Sequence, residues 1–112
     1  MSAIRFKIAS EASEIEQVHR LNHATFAEEI PQHPRRAEGI LVDRFHDQNT
    51  YVIALDGDRL AGMLAVRTDR PFSLDTKVPD LDSHLPEGRS VCEVRLLAVR
   101  SGHRKGIVFR GL

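Results

Sequence analysis

The C-terminal stretch from Cys92 to Leu112 constrains the fold of this chain more than any other. Cys92-Glu93-Val94-Arg95-Leu96-Leu97-Ala98-Val99 is a short β-rich apolar run, Arg100-Ser101-Gly102 breaks it, and His103-Arg104-Lys105-Gly106 forms a basic loop before Ile107 restarts an apolar pattern. The spacing predicts a strand, a tight turn, a glycine-bearing loop and the first turns of a helix. At such a strand-to-helix junction the first backbone N–H groups of the helix lack partners and carry the positive end of its dipole. His103, Arg104 and Lys105 add side-chain charge, and Gly106 allows close approach to the main chain, so the stretch is a candidate diphosphate cradle.

A chain of 112 residues is one domain, and 41% hydrophobic content is enough for a small core. Sixteen Lys+Arg balance sixteen Asp+Glu. Zero net charge argues against general nucleic-acid binding through an electrostatic footprint. The lone Cys92 excludes an internal disulfide and fits a reducing compartment; within the strand it is expected to be buried. No apolar run approaches the roughly 20 residues of a membrane span, and no secretory pattern follows Met1. A soluble, cytoplasmic protein without a membrane partner is the expectation.

Upstream, Ile4, Phe6 and Ile8 alternate with Arg5 and Lys7, which predicts a strand over 3–9. Ser10 and Ser13 can each cap a following helix, and Ser13 with Glu16 makes a capping box. That helix carries Ile15, Val18 and Leu21 on one face and ends before Pro31 and Pro34. A second helix is expected over 35–46, with Ile40, Leu41 and Phe45 inward. Thr50–Leu55, the turn Asp56-Gly57-Asp58, and Arg59–Arg67 read as a β-hairpin. Residues 68–89 show no period; they hold Pro71, Pro79 and Pro86 and five acidic residues, with Phe72 and Leu74 as candidate anchors. A loop of this length is usually functional, and its carboxylates could attract an amine.

The order of these elements and the segment Leu97-Ala98-Val99-Arg100 followed by Arg104-Lys105-Gly106-Ile107 resemble the acyl-CoA-binding region of the GNAT N-acetyltransferases. Their usual pattern, Gln/Arg-x-x-Gly-x-Gly/Ala, falls on His103 to Val108. Gly106 matches, His103 stands for the first Gln/Arg, and Val108 stands where a small residue is usual, so that its β-branched side chain would crowd a pyrophosphate. The resemblance implies an α/β fold with a mixed sheet, entered in the order strand, helix, helix, strand, strand, strand, helix. It implies transfer of an acetyl or longer acyl group from acyl-CoA, as co-substrate, to a small-molecule primary amine by direct attack, with no metal. Further implied are backbone contacts to the pantetheine arm from Leu97, Ala98 and Val99, and diphosphate contacts from His103, Arg104, Lys105, Gly106, Ile107 and Val108. The segment from His19 to Ile30, with Glu93-Val94-Arg95, is also similar to N-acyl amino acid and acyl-homoserine-lactone synthases of the same fold, which widens the donor to long chains and to acyl carrier protein.

Glu93 is the candidate general base, because a carboxylate half-buried in an apolar strand has a raised pKa; the plainer reading is an edge residue, solvated or paired with Arg95. His19 and His23, four apart on the first helix, read as a surface or groove-lining pair rather than a metal site. Tyr51 reads as a packing residue. No residue is assigned to protonate the leaving thiolate. Since the family normally continues past the phosphate-loop helix, the chain is expected to be the first half to two-thirds of such a domain, with its C-terminal part missing. It would be poor at turnover alone and prone to homodimerise through an open strand edge. The competing reading is a non-catalytic acyl-CoA-binding or interaction module.

Overall fold

The computed structural model describes residues 3–104 and 106–112. Four strands, β1 (Ile4–Ile8), β2 (Thr50–Asp56), β3 (Arg59–Arg67) and β4 (Glu93–Val99), form one sheet in the order β1-β2-β3-β4. Every pairing among them is antiparallel. The β2–β3 hairpin forms as its turn signal requires, with Gly57 at φ 64°. β1 and β4 are therefore the outer strands of the described sheet.

Helix α1 (Ala12–His23) crosses one face. Val18 and Leu21 pack there on Tyr51, Ile53, Leu55, Leu60, Met63, Ala65 and Ala98. Each large side chain buried in this way contributes about 1.5–3 kcal/mol. The helix does not start at the expected box. Glu11 takes the cap position, and the buried carboxylate of Glu14 accepts the N–H groups of Ser10 (3.0 Å) and Glu11 (3.1 Å) and pairs with Lys7 (2.9 Å). Led by the Ser10 N–H, these donors pull its pKa from 4.5 to about 2. A carboxylate placed where α1 leaves β1 reaches three donors at once, which the Ser13–Glu16 pair one turn later cannot do.

On the opposite face Ala54, Ala61, Val99 and Val108 form a smaller cluster with Ile4 and Leu112. It is roofed by the short helix α2 (Ile107–Gly111), and Phe6 packs on Gly111. The alternation of β1 thus points Ile4 and Phe6 towards α2, while Ile8 stays 60% exposed. The small residues Ala54, Ala61 and Gly62 let α2 sit close, since a Cβ on Gly62 would lie 2.8 Å from the Val108 side chain.

The second helix expected over 35–46 does not form. Gly39 adopts φ 69°, and the following backbone is pinned to α1: Leu41 donates its N–H to the His19 carbonyl (3.1 Å), and Asn22 Nδ2 donates to the Leu41 carbonyl (2.9 Å). One short 3₁₀ turn, His46–Gln48, precedes β2. Between β3 and β4 the long connection carries two 3₁₀ turns, Ser73–Thr76 and Leu81–His84. Phe72 anchors it as expected, but Leu81 rather than Leu74 supplies the second buried contact. Of the five acidic residues in this connection, Asp75 and Asp82 pair with Arg70. Cys92 is exposed, because it precedes β4 instead of lying within it. No helix among the described residues is long and apolar enough to cross a membrane.

Candidate functional site

The site is organised by an irregularity in β4. Opposite β3, Met63 pairs with Ala98 and Ala65 with Arg95, so Leu96 and Leu97 together face the single residue Leu64. Two residues opposite one make a β-bulge, which leaves a backbone group out of the ladder and re-aims the side chains. Leu96 takes up the extra length at φ 58°, a left-handed conformation costly for a non-glycine residue. Two clefts open on either side of this point. Leu97 lines one and Leu96 the other.

The first cleft, about 290 Å³, lies along the outer edge of β4 between Leu97, Ala98, Val99, Arg104 and Phe109 and the residues Thr25, Glu29 and Ile30. Thr25 and Glu29 lie in a widened turn, Ala24–Glu29, in which α1 relaxes to i→i+5 bonding, and Ile30 caps it, donating its N–H to the Thr25 carbonyl (2.8 Å). Such wide turns recur at functional sites. Arg104 spans the rim. Its Nε donates to the Val99 carbonyl (3.0 Å) and its Nη2 meets Glu29 (2.6 Å). Of the predicted cradle residues, then, Leu97, Ala98, Val99 and Arg104 converge.

The others do not share that wall. His103 turns to the β2–β3 hairpin, where Nε2 meets Asp56 at 3.0 Å. Ile107 is exposed on α2. Gly106 holds φ 130°, which a side chain would strain. Val108 is buried against Gly62, so its branched side chain faces the sheet. Lys105, also predicted for the cradle, lies outside the described residues. Sequence reasoning missed Thr25, Glu29, Ile30 and Phe109 as wall residues. The acid at Glu29 facing a base at Arg104 would have been the one available signal, and it is visible only once the fold brings them together.

The second cleft, about 430 Å³, is polar. Asn22, Arg36, Leu41, Asp43, Arg44, Ser73, Lys77, Arg95 and Leu96 are among the residues of its wall. Arg95 grips both oxygens of Asp43 (2.8 and 3.2 Å), and Asn49 Nδ2 and the Phe45 N–H also donate to that carboxylate. Burial by itself would raise the Asp43 pKa, but Arg95 and Asn49 outweigh it and hold it low. Asn49 Nδ2 also reaches the Tyr51 hydroxyl, which meets His46 Nδ1 at 3.0 Å, and His46 stacks edge-on with His19. Burial, with His46 alongside, lowers the His19 pKa. His23 turns elsewhere: its Nε2 accepts the Arg36 N–H (2.9 Å) and its Nδ1 meets Glu28 (2.9 Å). The two histidines of α1 therefore serve different contacts. Tyr51 packs as expected, and its hydroxyl also joins the network.

Glu93 sits behind this second wall. Its carboxylate accepts the Ser73 N–H (2.9 Å), the Ser73 hydroxyl (2.7 Å) and the Leu74 N–H (3.1 Å), with Arg95 at 3.9 Å. Burial would raise its pKa, but these donors and Arg95 win and lower it. The raised pKa expected of a general base is thus reversed, because the β3–β4 connection folds over the strand and supplies donors that no local pattern revealed.

A family model described as an acetyltransferase (GNAT) domain matches residues 21–112. Among solved structures, the crystal structure of the AHL synthase LasI is similar, with a TM-score of 0.70, 17% identity, and coverage of 96% of this chain and 58% of that chain. At that identity the likeness concerns the fold, and this chain spans 58% of the length of that one. No curated protein matches the sequence.

Proposed function

We propose, since this chain belongs to the GNAT acetyltransferase family, that it provides the donor cleft and part of the acceptor cleft of an N-acyltransferase. An acyl thioester lies in the cleft at the β4 edge, with its pantetheine arm along the backbone of Leu97, Ala98 and Val99 and its diphosphate near Arg104 and Gly106. The amine enters the polar cleft and attacks the thioester carbonyl carbon directly. Negative charge develops on the carbonyl oxygen, where the N–H freed by the bulge stabilises it. The carbon–sulfur bond then breaks, the thiolate takes up a proton, and the amine nitrogen loses one. Holding both reactants at one point supplies much of the rate acceleration. The single observation that carries this reading is the bulge itself: consecutive residues, Leu96 and Leu97, line the two clefts, so the clefts flank the strand irregularity.

Glu93 acts in this reading as a positioning residue that fixes the Ser73 turn over the acceptor cleft. The apolar side chains of Ile30, Leu97 and Phe109 at the donor cleft favour an acyl chain longer than acetyl, delivered on coenzyme A or on acyl carrier protein. The test is thiol release from acetyl-CoA, octanoyl-CoA and palmitoyl-CoA across a panel of amines, alongside calorimetry with each donor. Amine-dependent release supports acyl transfer. Donor binding without release for any amine favours a non-catalytic acyl-CoA-binding module. Absence of donor binding refutes both readings.

A further inference from the structure

We infer that His23 is a positioning residue that ties the first cleft to the second, and this rests on the acyl-transfer reading above. The ring sits where α1 ends and the widened turn Ala24–Glu29 begins, and it is 3% exposed. Its Nε2 accepts the Arg36 N–H at 2.9 Å, so that nitrogen carries no proton. The proton of the neutral ring is then on Nδ1, which donates to the Glu28 carboxylate at 2.9 Å. The two hydrogen bonds fix a single neutral tautomer.

Each nitrogen serves a different cleft. Glu28 belongs to the widened turn, whose Thr25 and Glu29 line the first cleft beside Arg104. Arg36 lines the second, on the same wall as Leu41, Val42 and Asp43. Residues 30–43 contain no helix or strand, so individual tethers set where that wall stands. Gln32 and His33 donate to the Phe26 carbonyl (3.0 and 3.1 Å), and Leu41 donates to that of His19 (3.1 Å). Between these anchors come the Arg36 bond to His23 and the Arg20 contact with the Glu38 carbonyl, which is longer, at 3.4 Å, and exposed. His23 is thus the buried tether at the middle of the wall. Losing a partner there leaves a donor or acceptor shut away from water, which costs more than the bond was worth.

The two sides of the ring have separate stand-ins. Counted along the side chain, an Asn amide ends where Nδ1 does, and a Gln amide ends where Nε2 does. His23→Asn keeps a donor for Glu28 and leaves the Arg36 N–H without an acceptor. His23→Gln keeps an acceptor for the Arg36 N–H and leaves Glu28 without a donor. A residue that only fills space would make the two variants alike.

The experiment joins ¹⁵N NMR and hydrogen exchange of the full chain to calorimetry with octanoyl-CoA and thiol release across the amine panel. In the native chain a through-hydrogen-bond N–N coupling is expected between the Arg36 amide and His23 Nε2. His23→Asn is expected to lose about 2- to 12-fold in Arg36 amide protection and to raise the KM for the amine by a similar factor, with octanoyl-CoA affinity kept. His23→Gln is expected to weaken octanoyl-CoA by a similar factor while keeping Arg36 protection and the amine KM. Either variant alone suffices, since each moves one cleft and spares the other. Absence of the N–N coupling, or Arg36 protection equal in the native chain and His23→Asn, overturns the tether and leaves acyl transfer standing. Octanoyl-CoA affinity and Arg36 protection falling together in both variants mark a merely structural histidine and overturn the inference as well. If protection and octanoyl-CoA affinity divide as expected but no amine releases thiol, the tether stands and the acyl-transfer reading fails.

Discussion

Replacing Glu93 by glutamine separates an anchor from a reacting group. In the native chain one carboxylate accepts three hydrogen bonds, from the Ser73 N–H, the Ser73 hydroxyl and the Leu74 N–H. Hydrogen bonds to a charged group are worth about 1.5–3 kcal/mol and neutral ones about 0.5–1.5, so each bond that survives in Glu93→Gln loses about 1 kcal/mol. The amide nitrogen must also face at least one of the donors, leaving it unsatisfied at a further cost of about 1–3 kcal/mol. The total is about 3–5 kcal/mol, felt first in the turn at Ser73–Thr76. Hydrogen exchange of the Ser73 and Leu74 amides reads this directly, and the expected loss of protection is about 100- to 4,000-fold, since 1.4 kcal/mol is a factor of ten. In the acyl-transfer assay the variant raises the KM for the amine more than it lowers kcat. Because the folded pKa of Glu93 is depressed, its contribution is present above the ordinary value of 4.5 and fades as the pH falls through and below it. Unchanged protection at Ser73 and Leu74 together with a collapse of kcat and the loss of a pH-rate inflection would refute the anchor and return Glu93 to the reaction itself.

Gly62→Val drives a branched side chain into Val108 and Leu112 and costs about 1–3 kcal/mol by overpacking; thermal unfolding with near-UV dichroism should show α2 loosened before the sheet, and an unchanged melting temperature would contradict that packing. Glu14 is depressed to about 2, so its stabilisation is complete above pH 4.5 and lost between 4.5 and about 2; urea midpoints should fall across that window in the native chain and stay flatter in Glu14→Gln. Tyr51→Phe removes the hydroxyl shared by His46 and Asn49 and is expected to cost about 1–2 kcal/mol, checked by chemical denaturation. The low pKa of His19 makes stability fall as pH drops below 6.5, and His19→Phe should remove that slope.

The hairpin was legible because its signals are local: alternation, β-branched residues and an Asp-Gly turn fix both strands without help from the rest of the chain. The β4 strand and the approach to α2 were legible for the same reason. Residues 35–46 misled because an apolar spacing compatible with a helix says nothing of Gly39 or of the hydrogen bonds that α1 offers to Leu41. The capping carboxylate was misplaced by one turn because its partners come from β1 as well as from α1.

What the sequence by itself determined is the family and the strand–loop–helix at its C-terminal stretch, whose Leu97, Ala98, Val99 and Arg104 line one cleft. These rest on short-range patterns, which a chain displays before it folds. What only the tertiary structure decided is the chemistry around them. Glu93 became an acceptor for a turn twenty residues earlier, Val108 turned inward onto Gly62, Arg104 found Glu29 across the first cleft, and two of the five acids between β3 and β4, Asp75 and Asp82, paired with Arg70. A side chain's pKa and partners depend on whichever groups lie within a few ångströms, and those groups come from distant parts of the chain.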